Sequence, residues 1–134
     1  MKILTIKTHK PREVVDITSD VNAALKNAER QIGICHLFVR HTTAALTTVP
    51  FDPEKELDLL GMMEAIVNHP ASPRHEASRL STHHITYMPP DILAAFVGST
   101  IAIPIADGEL FLGKFQRVVL LELEGPSERE VVVA

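Results

Sequence analysis

The run His41-Thr42-Thr43-Ala44-Ala45-Leu46 follows an apolar stretch, Cys35 to Val39, and sets an imidazole beside two hydroxyls. An imidazole titrates near neutrality, and hydroxyls donate to phosphate or carbonyl oxygens, so the cluster suits general acid-base work or anion binding. The small residues that follow leave such groups without bulk in the way. The plainer reading of the same residues is a half-buried histidine satisfied by a neighbour, with threonines that simply favour sheet.

Two further stretches carry chemistry. Asn68 to Pro90 holds His69, His75, His83 and His84 among four prolines, and Asp91 follows it. Neutral imidazoles with one carboxylate are ligands for a divalent metal. There is no Cys pair and no His-Glu-x-x-His, and adjacent His83 and His84 would point to opposite faces of an extended chain. A solvated histidine-rich loop therefore stands beside the metal reading. The third stretch is Asp107-Gly108 with Gly113-Lys114-Phe115-Gln116. Asp107-Gly108 is a turn signal in its own right; Gly113 permits a bulge or a close backbone approach, Lys114 offers a cation for an anion, and Gln116 offers both donor and acceptor. No phosphate-binding glycine loop, dinucleotide fingerprint or nucleophile elbow is present.

The elements that must position these residues are legible from periodicity. Ile3, Leu4 and Ile6 between lysines predict a first strand, and Glu13 to Ile17 a second. Thr18-Ser19-Asp20 offers side-chain caps to a helix carrying Val21, Ala24, Leu25 and Ala28, with Gly33 as the stop. Ile34 to Arg40 reads as a central strand with Cys35, Leu37 and Val39 on one face and His36 and Phe38 on the other. Pro50 to Pro53 is a break, and Asp52 caps a helix from Glu54 to Val67. Asn68 to Pro90 reads as a long irregular segment. Asp91 would cap a short helix, Ile92 to Val97, closed by Gly98; strands follow at Ser99 to Ile105, Leu110 to Leu112, Val118 to Glu124 and Glu128 to Val133. The expectation is an α+β domain over residues 1–134, a mostly antiparallel sheet or sandwich with two main helices and one short one.

Composition narrows the partners. A chain of 134 residues, 46% apolar, can bury a core without disulfides or a structural metal. A formal net charge of -4 argues against general nucleic-acid or anionic-membrane binding. The single Cys35, inside an apolar run, reads as a buried, inert thiol that fits a reducing cytosol. No run is long and apolar enough for a signal peptide or a membrane span, so the expected location is the cytoplasm.

Taken together, Gly33-x-Cys35-x-Leu37-Phe38-Val39-x-His41-Thr42-Thr43-Ala44-Ala45-Leu46, then Asp52-Pro53, Asp58-Leu59 and His69, then Ile103-Pro104-x-x-Asp107-Gly108-x-Leu110-x-Leu112-Gly113-x-x-Gln116 and Glu124-Gly125-Pro126, resemble the YjbQ-like family over nearly the whole chain. The resemblance implies an antiparallel α+β fold, a homotrimer and a secondary thiamine-phosphate synthase type of activity. His41, Thr42, His69, Asp107, Gly108, Gly113 and Gln116 fall on family motif positions. Three departures stand out. Pro89 and Asp91 occupy the places of a family His-x-His pair, the loop between Leu46 and Asp52 is one residue short and lacks an acidic residue, and Gly113-Lys114-Phe115-Gln116 replaces Gly-Thr-Trp-Gln.

On that resemblance the expected reaction joins a pyrimidine methyl diphosphate to a thiazole phosphate with loss of pyrophosphate, with weak turnover. His41, Thr42 and Gln116 would be the catalytic residues, and Thr43, Asp107, Gly108, Gly113 and Lys114 would contact substrate. A divalent ion, magnesium or zinc, would take ligands from His69, Asp91, His83 and His84. The alternative is a non-catalytic trimer that binds a small phosphorylated ligand or a metal.

Overall fold

A computed structural model describes residues 1–67 and 88–134. The expected irregular segment up to residue 87, with His69, His75, His83 and His84, lies outside the described residues. The elements are β1 (Lys2–Lys7), β2 (Glu13–Asp16), α1 (Thr18–Asn27), β3 (Gly33–Val39), β4 (Ala44–Pro50), α2 (Pro53–Val67), α3 (Pro90–Val97), β5 (Thr100–Ala106), β6 (Glu109–Leu110), β7 (Gln116–Glu122) and β8 (Glu128–Val133). They form a five-stranded sheet in the order β1-β8-β3-β5-β6 and a three-stranded sheet in the order β2-β7-β4. All pairings in both sheets are antiparallel, so the chain is α+β as expected.

Alternation decides which face each strand buries. In β3, Cys35, Leu37 and Val39 are buried while Ile34, His36 and Phe38 face out. With Ile103, Ile105, Val131 and Val133 they oppose Leu46, Val118 and Leu120 of the smaller sheet, and Val21, Ala24 and Leu25 of α1 close the cluster. The other face of the smaller sheet has its own core, where Ala45, Val119 and Leu121 meet Met63 and Val67 of α2 and Leu93 and Ala94 of α3. Strand β7 is therefore covered on both faces. That is the physical reason Val118 to Leu121 reads as an unbroken apolar run rather than an alternating one.

Four local expectations change. Ala44 to Leu46 does not leave space open for a ligand; these residues are buried and begin β4, where alanines fit a strand sandwiched between two packed layers. Helix α1 starts at Thr18 without a side-chain cap: Asp16 Oδ1 accepts the Thr18 amide at 2.9 Å, while Thr18 Oγ1 accepts the Val118 amide at 2.9 Å, binding the helix start to β7. The helix ends at Ala28, before Gly33, which instead opens β3 with a φ of +127°. Asp91 lies inside α3 rather than capping it, because Pro89 takes the cap position. By contrast, Asp52 does cap α2, with Oδ1 accepting the Glu54 amide at 2.9 Å.

Candidate functional site

The connection from β3 to β4 contains His41, Thr42 and Thr43, and the neighbouring start of β8 fixes it. The Arg40 amide donates to the Glu130 carbonyl at 3.0 Å, and the Glu130 amide donates to His41 Nε2 at 2.9 Å. A backbone N–H can only donate, so Nε2 is held as an acceptor and neutral imidazole is favoured. Burial, then the Arg129 charge, lower the His41 pKa from its usual 6.5; Glu130 and Glu122 oppose the shift, and Arg40 adds to it. Thr42 is exposed, whereas Thr43 is half-buried.

Beneath Thr43 lies an ion pair that the motif reading missed. Glu122 is 0% exposed and Arg129 4% exposed. The Nε–Nη2 edge of Arg129 engages both Glu122 oxygens, with Nε 2.8 Å from Oε2. Thr8 Oγ1 donates to Glu122 Oε2 at 2.8 Å, and the Glu124 amide donates to Oε1 at 3.0 Å. Arg129 Nη2 also reaches Thr43 Oγ1 at 2.8 Å and its carbonyl at 3.2 Å. Burial alone would raise the Glu122 pKa, but the hydrogen bonds from Arg129, Glu124 and Thr8, together with the Arg129 charge, outweigh it and hold the carboxyl below its usual 4.5. Gly125 closes over this pair: a Cβ there would sit 2.4 Å from the Lys10 carbonyl and 2.8 Å from Glu122 Cγ.

Alternation could have revealed both residues. Glu122 shares the face of Val118 and Leu120, and Arg129 shares the face of Val131 and Val133, so period two turns both charges inward. Two opposite charges forced into one core must pair.

The remaining motif residues lie at the far end of the sheets. Asp107 and Gly108 make the β5–β6 turn with φ of +52° and +79°, as a tight hairpin requires. The Gly108 amide donates to the Gln31 carbonyl at 3.1 Å, and a Cβ on Gly108 would meet the Gln31 amide group at 3.3 Å. The Gly113 backbone is engaged within its own turn. Its amide donates to Gln116 Oε1 at 2.8 Å, and the Gln116 amide returns to the Gly113 carbonyl at 3.0 Å, so the two close a turn. Lys114 lies over the Phe115 ring at 5.3 Å, and Arg117 over the Phe51 ring at 4.7 Å. Arg117 Nε is 3.3 Å from Asp16 Oδ2, near enough for ion pairing but without hydrogen-bond geometry.

Register fixes the separation of the two groups. Ala44, next to Thr43, faces Glu122, while Pro50 faces Gln116. Six strand steps at about 3.3 Å each put Gln116 roughly 20 Å from the Thr43 end. Phe38 pairs with Thr100 and Gly33 with Ile105, so Asp107 is likewise at the opposite end of β3 from His41. The chain thus brings His41, Thr42 and Thr43 together, and it places Asp107 with Gly108, and Gly113 with Lys114 and Gln116, away from them.

Of the residues expected to ligate a metal, only Asp91 is among the described ones. Asp91 Oδ1 accepts the Ile92 amide at 2.9 Å, and among the described residues no group of three or more His, Cys, Asp or Glu is disposed to hold a metal ion. A groove of about 370 Å³ runs between β2 and α2, lined by Lys10, Glu13, Val14, Glu56, Leu57 and Leu60 among others. Pro53 of the Asp52-Pro53 motif lines it but none of the expected site residues does, and two carboxylates against one ammonium do not suit a phosphate. Cys35 is buried, and burial raises its thiol pKa against a smaller opposing effect of Arg30, consistent with an inert core residue.

Comparison with known proteins matches residues 2–134 to the family model described as UPF0047 protein YjbQ-like. A UPF0047 protein of Archaeoglobus fulgidus is 31% identical over 130 residues, spanning 97% of this chain and 96% of its own. One from Synechocystis is 34% identical over 134 residues, covering 98% of this chain and 88% of its own. Among solved structures, a YjbQ/UPF0047 protein of Clostridium acetobutylicum superposes with a TM-score of 0.80 at 27% identity, covering 100% of this chain and 98% of that one. The protein TT1486 of Thermus thermophilus gives 0.77 at 32% identity, with 100% and 98% covered.

Proposed function

The chain belongs to the YjbQ-like UPF0047 family, and from that premise we propose that it binds a small phosphorylated ligand at the β3–β4 connection, as a homotrimer. The observation that carries this reading is that the Arg129 guanidinium binds the Thr43 hydroxyl while the Glu130 amide fixes the His41 ring two residues away. A hydroxyl anchored by a buried ion pair and an imidazole fixed by a backbone amide are pre-organised for an oxyanion. Lys114 and Gln116, the residues expected to share the work, are roughly 20 Å away along the strands.

A second reading keeps the transfer reaction and gives it to the assembly. Joining a pyrimidine diphosphate to a thiazole phosphate needs charge stabilisation on the departing phosphates and orientation of two rings. The two motif ends meet only if neighbouring protomers bring them together. The outer face of the larger sheet supports association: Ile34 and Phe38 are 52% and 47% exposed, and cross-strand neighbours Val132 and Pro104 extend the apolar surface.

A thermal-shift panel separates the readings. Stabilisation by phosphate or pyrophosphate without formation of thiamine phosphate supports binding alone; product above that of a His41→Ala variant, with saturating magnesium, supports transfer. The absence of any shift with any phosphorylated ligand would contradict both.

A further inference from the structure

We infer that the β3–β4 connection is a donor-only oxyanion seat, in which neutral His41 carries its proton on Nδ1 and presents it with the Thr43 hydroxyl to a phosphate group, while Arg129 positions Thr43. This deepens the phosphorylated-ligand reading and rests on it.

The assignment follows from which lone pairs are already taken. Neutral imidazole has one N–H and one lone pair. The Glu130 amide occupies Nε2 at 2.9 Å, so the proton belongs on Nδ1. Nδ1 has no partner among the described residues and is not among their sealed, unpaired atoms. Thr43 Oγ1 accepts an Arg129 hydrogen at 2.8 Å, which directs its own hydrogen away from the guanidinium. The Thr43 carbonyl already accepts from Leu123 at 3.1 Å and from Arg129 at 3.2 Å. Both Glu122 oxygens are likewise engaged, by Arg129, Thr8 and Glu124.

Most of the lone pairs a cation would take are already engaged. The His41 Nε2 lone pair accepts the Glu130 amide, both Glu122 oxygens are buried and hydrogen-bonded, and Glu130 gives Oε2 to Arg40, which leaves the single oxygen Oε1, too few ligands to hold zinc or magnesium. The charges facing His41 are Arg129, Glu130, Glu122 and Arg40. Glu122 is paired with Arg129, and Glu130 with Arg40 at 2.9 Å, so the local charge is balanced. Recognition at this end is therefore by directed hydrogen bonds rather than by net charge, and a tetrahedral oxyanion is the ligand chemistry that uses donors alone.

The test uses the full chain with isotope-labelled histidine. A long-range proton–nitrogen spectrum at neutral pH reads the His41 tautomer without any ligand. Inorganic phosphate, then zinc, is titrated at constant ionic strength. The expected results are an Nδ1–H tautomer, a phosphate-dependent shift at His41 Nδ1, and no response of His41 to zinc. Thr43→Val should weaken phosphate binding about fivefold to tenfold, and Thr43→Ser should restore it. Arg129→Lys, compared well below its own unfolding temperature, should weaken binding without changing the tautomer.

An Nε2–H tautomer, ligation of His41 by zinc, or unchanged affinity in Thr43→Val overturns the assignment. Phosphate shifts on residues 40–44 beside an Nε2–H tautomer overturn it while leaving the phosphorylated-ligand reading intact, whereas shifts confined to residues 107–117 overturn both the assignment and the proposed place of binding. No phosphate response anywhere overturns both.

Discussion

Arg129 and Glu122 do more for the shape of the candidate site than the residues that advertise it. Each would be a costly buried charge without the other, and together they tie β7, β8, the β1–β2 connection and Thr43 to one point. Removing one partner, as in Arg129→Leu, should therefore destabilise the protein by about 3–5 kcal/mol in urea unfolding. The double change Glu122→Leu with Arg129→Leu should cost less than the sum of the single changes, because neither charge is then left alone. The pH dependence has a defined sign. The folded pKa of His41 lies below 6.5, so its contribution is complete above 6.5 and is lost as pH falls from there through the lowered folded value. That of Glu122 is complete above 4.5 and is lost as pH falls below 4.5 through its lowered value. Melting temperatures should accordingly drop first below 6.5 and again in acid, and a His41→Gln variant should lack the first step.

At the scale of elements, β7 is the strand on which both cores depend. Leu120 is fully buried, and Leu120→Ala should cost about 2–5 kcal/mol, whereas Leu57→Ala on the exposed side of α2 should stay within about 0.5 kcal/mol in the same unfolding assay. Asp52→Ala, which deletes the α2 cap, should cost about 1 kcal/mol. What the sequence made legible at this scale follows the strength of each local signal. The β3 alternation, the β5–β6 hairpin at Asp107-Gly108 and the Asp52-Pro53 helix start were all readable, since each rests on backbone chemistry of a few adjacent residues. Strand β4 was not, because Ala44 and Ala45 have weak β-propensity and belong in the sheet only through packing on both faces. The α1 start was misread for a similar reason: Thr18 spends its hydroxyl on Val118, a partner 100 residues away. The inward charges at Glu122 and Arg129 were readable by alternation, but only once the strand boundaries were in place.

For the whole molecule, the decisive fact is that the family motif folds into two ends. His41, Thr42 and Thr43 crown one end of the sheets, and Asp107, Gly108, Gly113, Lys114 and Gln116 occupy the other. Ordered motif residues look like one site when read along a chain, since sequence order carries no information about which end of a strand each residue occupies. Among the described residues no helix is long and apolar enough to cross a membrane. The proposed trimer would use the apolar outer face of the larger sheet for contact between copies of the chain. Phe38→Glu should lower the mass measured by light scattering toward that of a monomer, while an unchanged mass would remove this face from the assembly.

The central claim is that phosphate is received at the His41 end. Its most direct measurement is the backbone-amide footprint of inorganic phosphate on the full chain, read by NMR at constant ionic strength. The account predicts that the largest shifts fall on residues 40–44 and 129–131. Shifts concentrated instead on residues 107–117, or none at all, would contradict it.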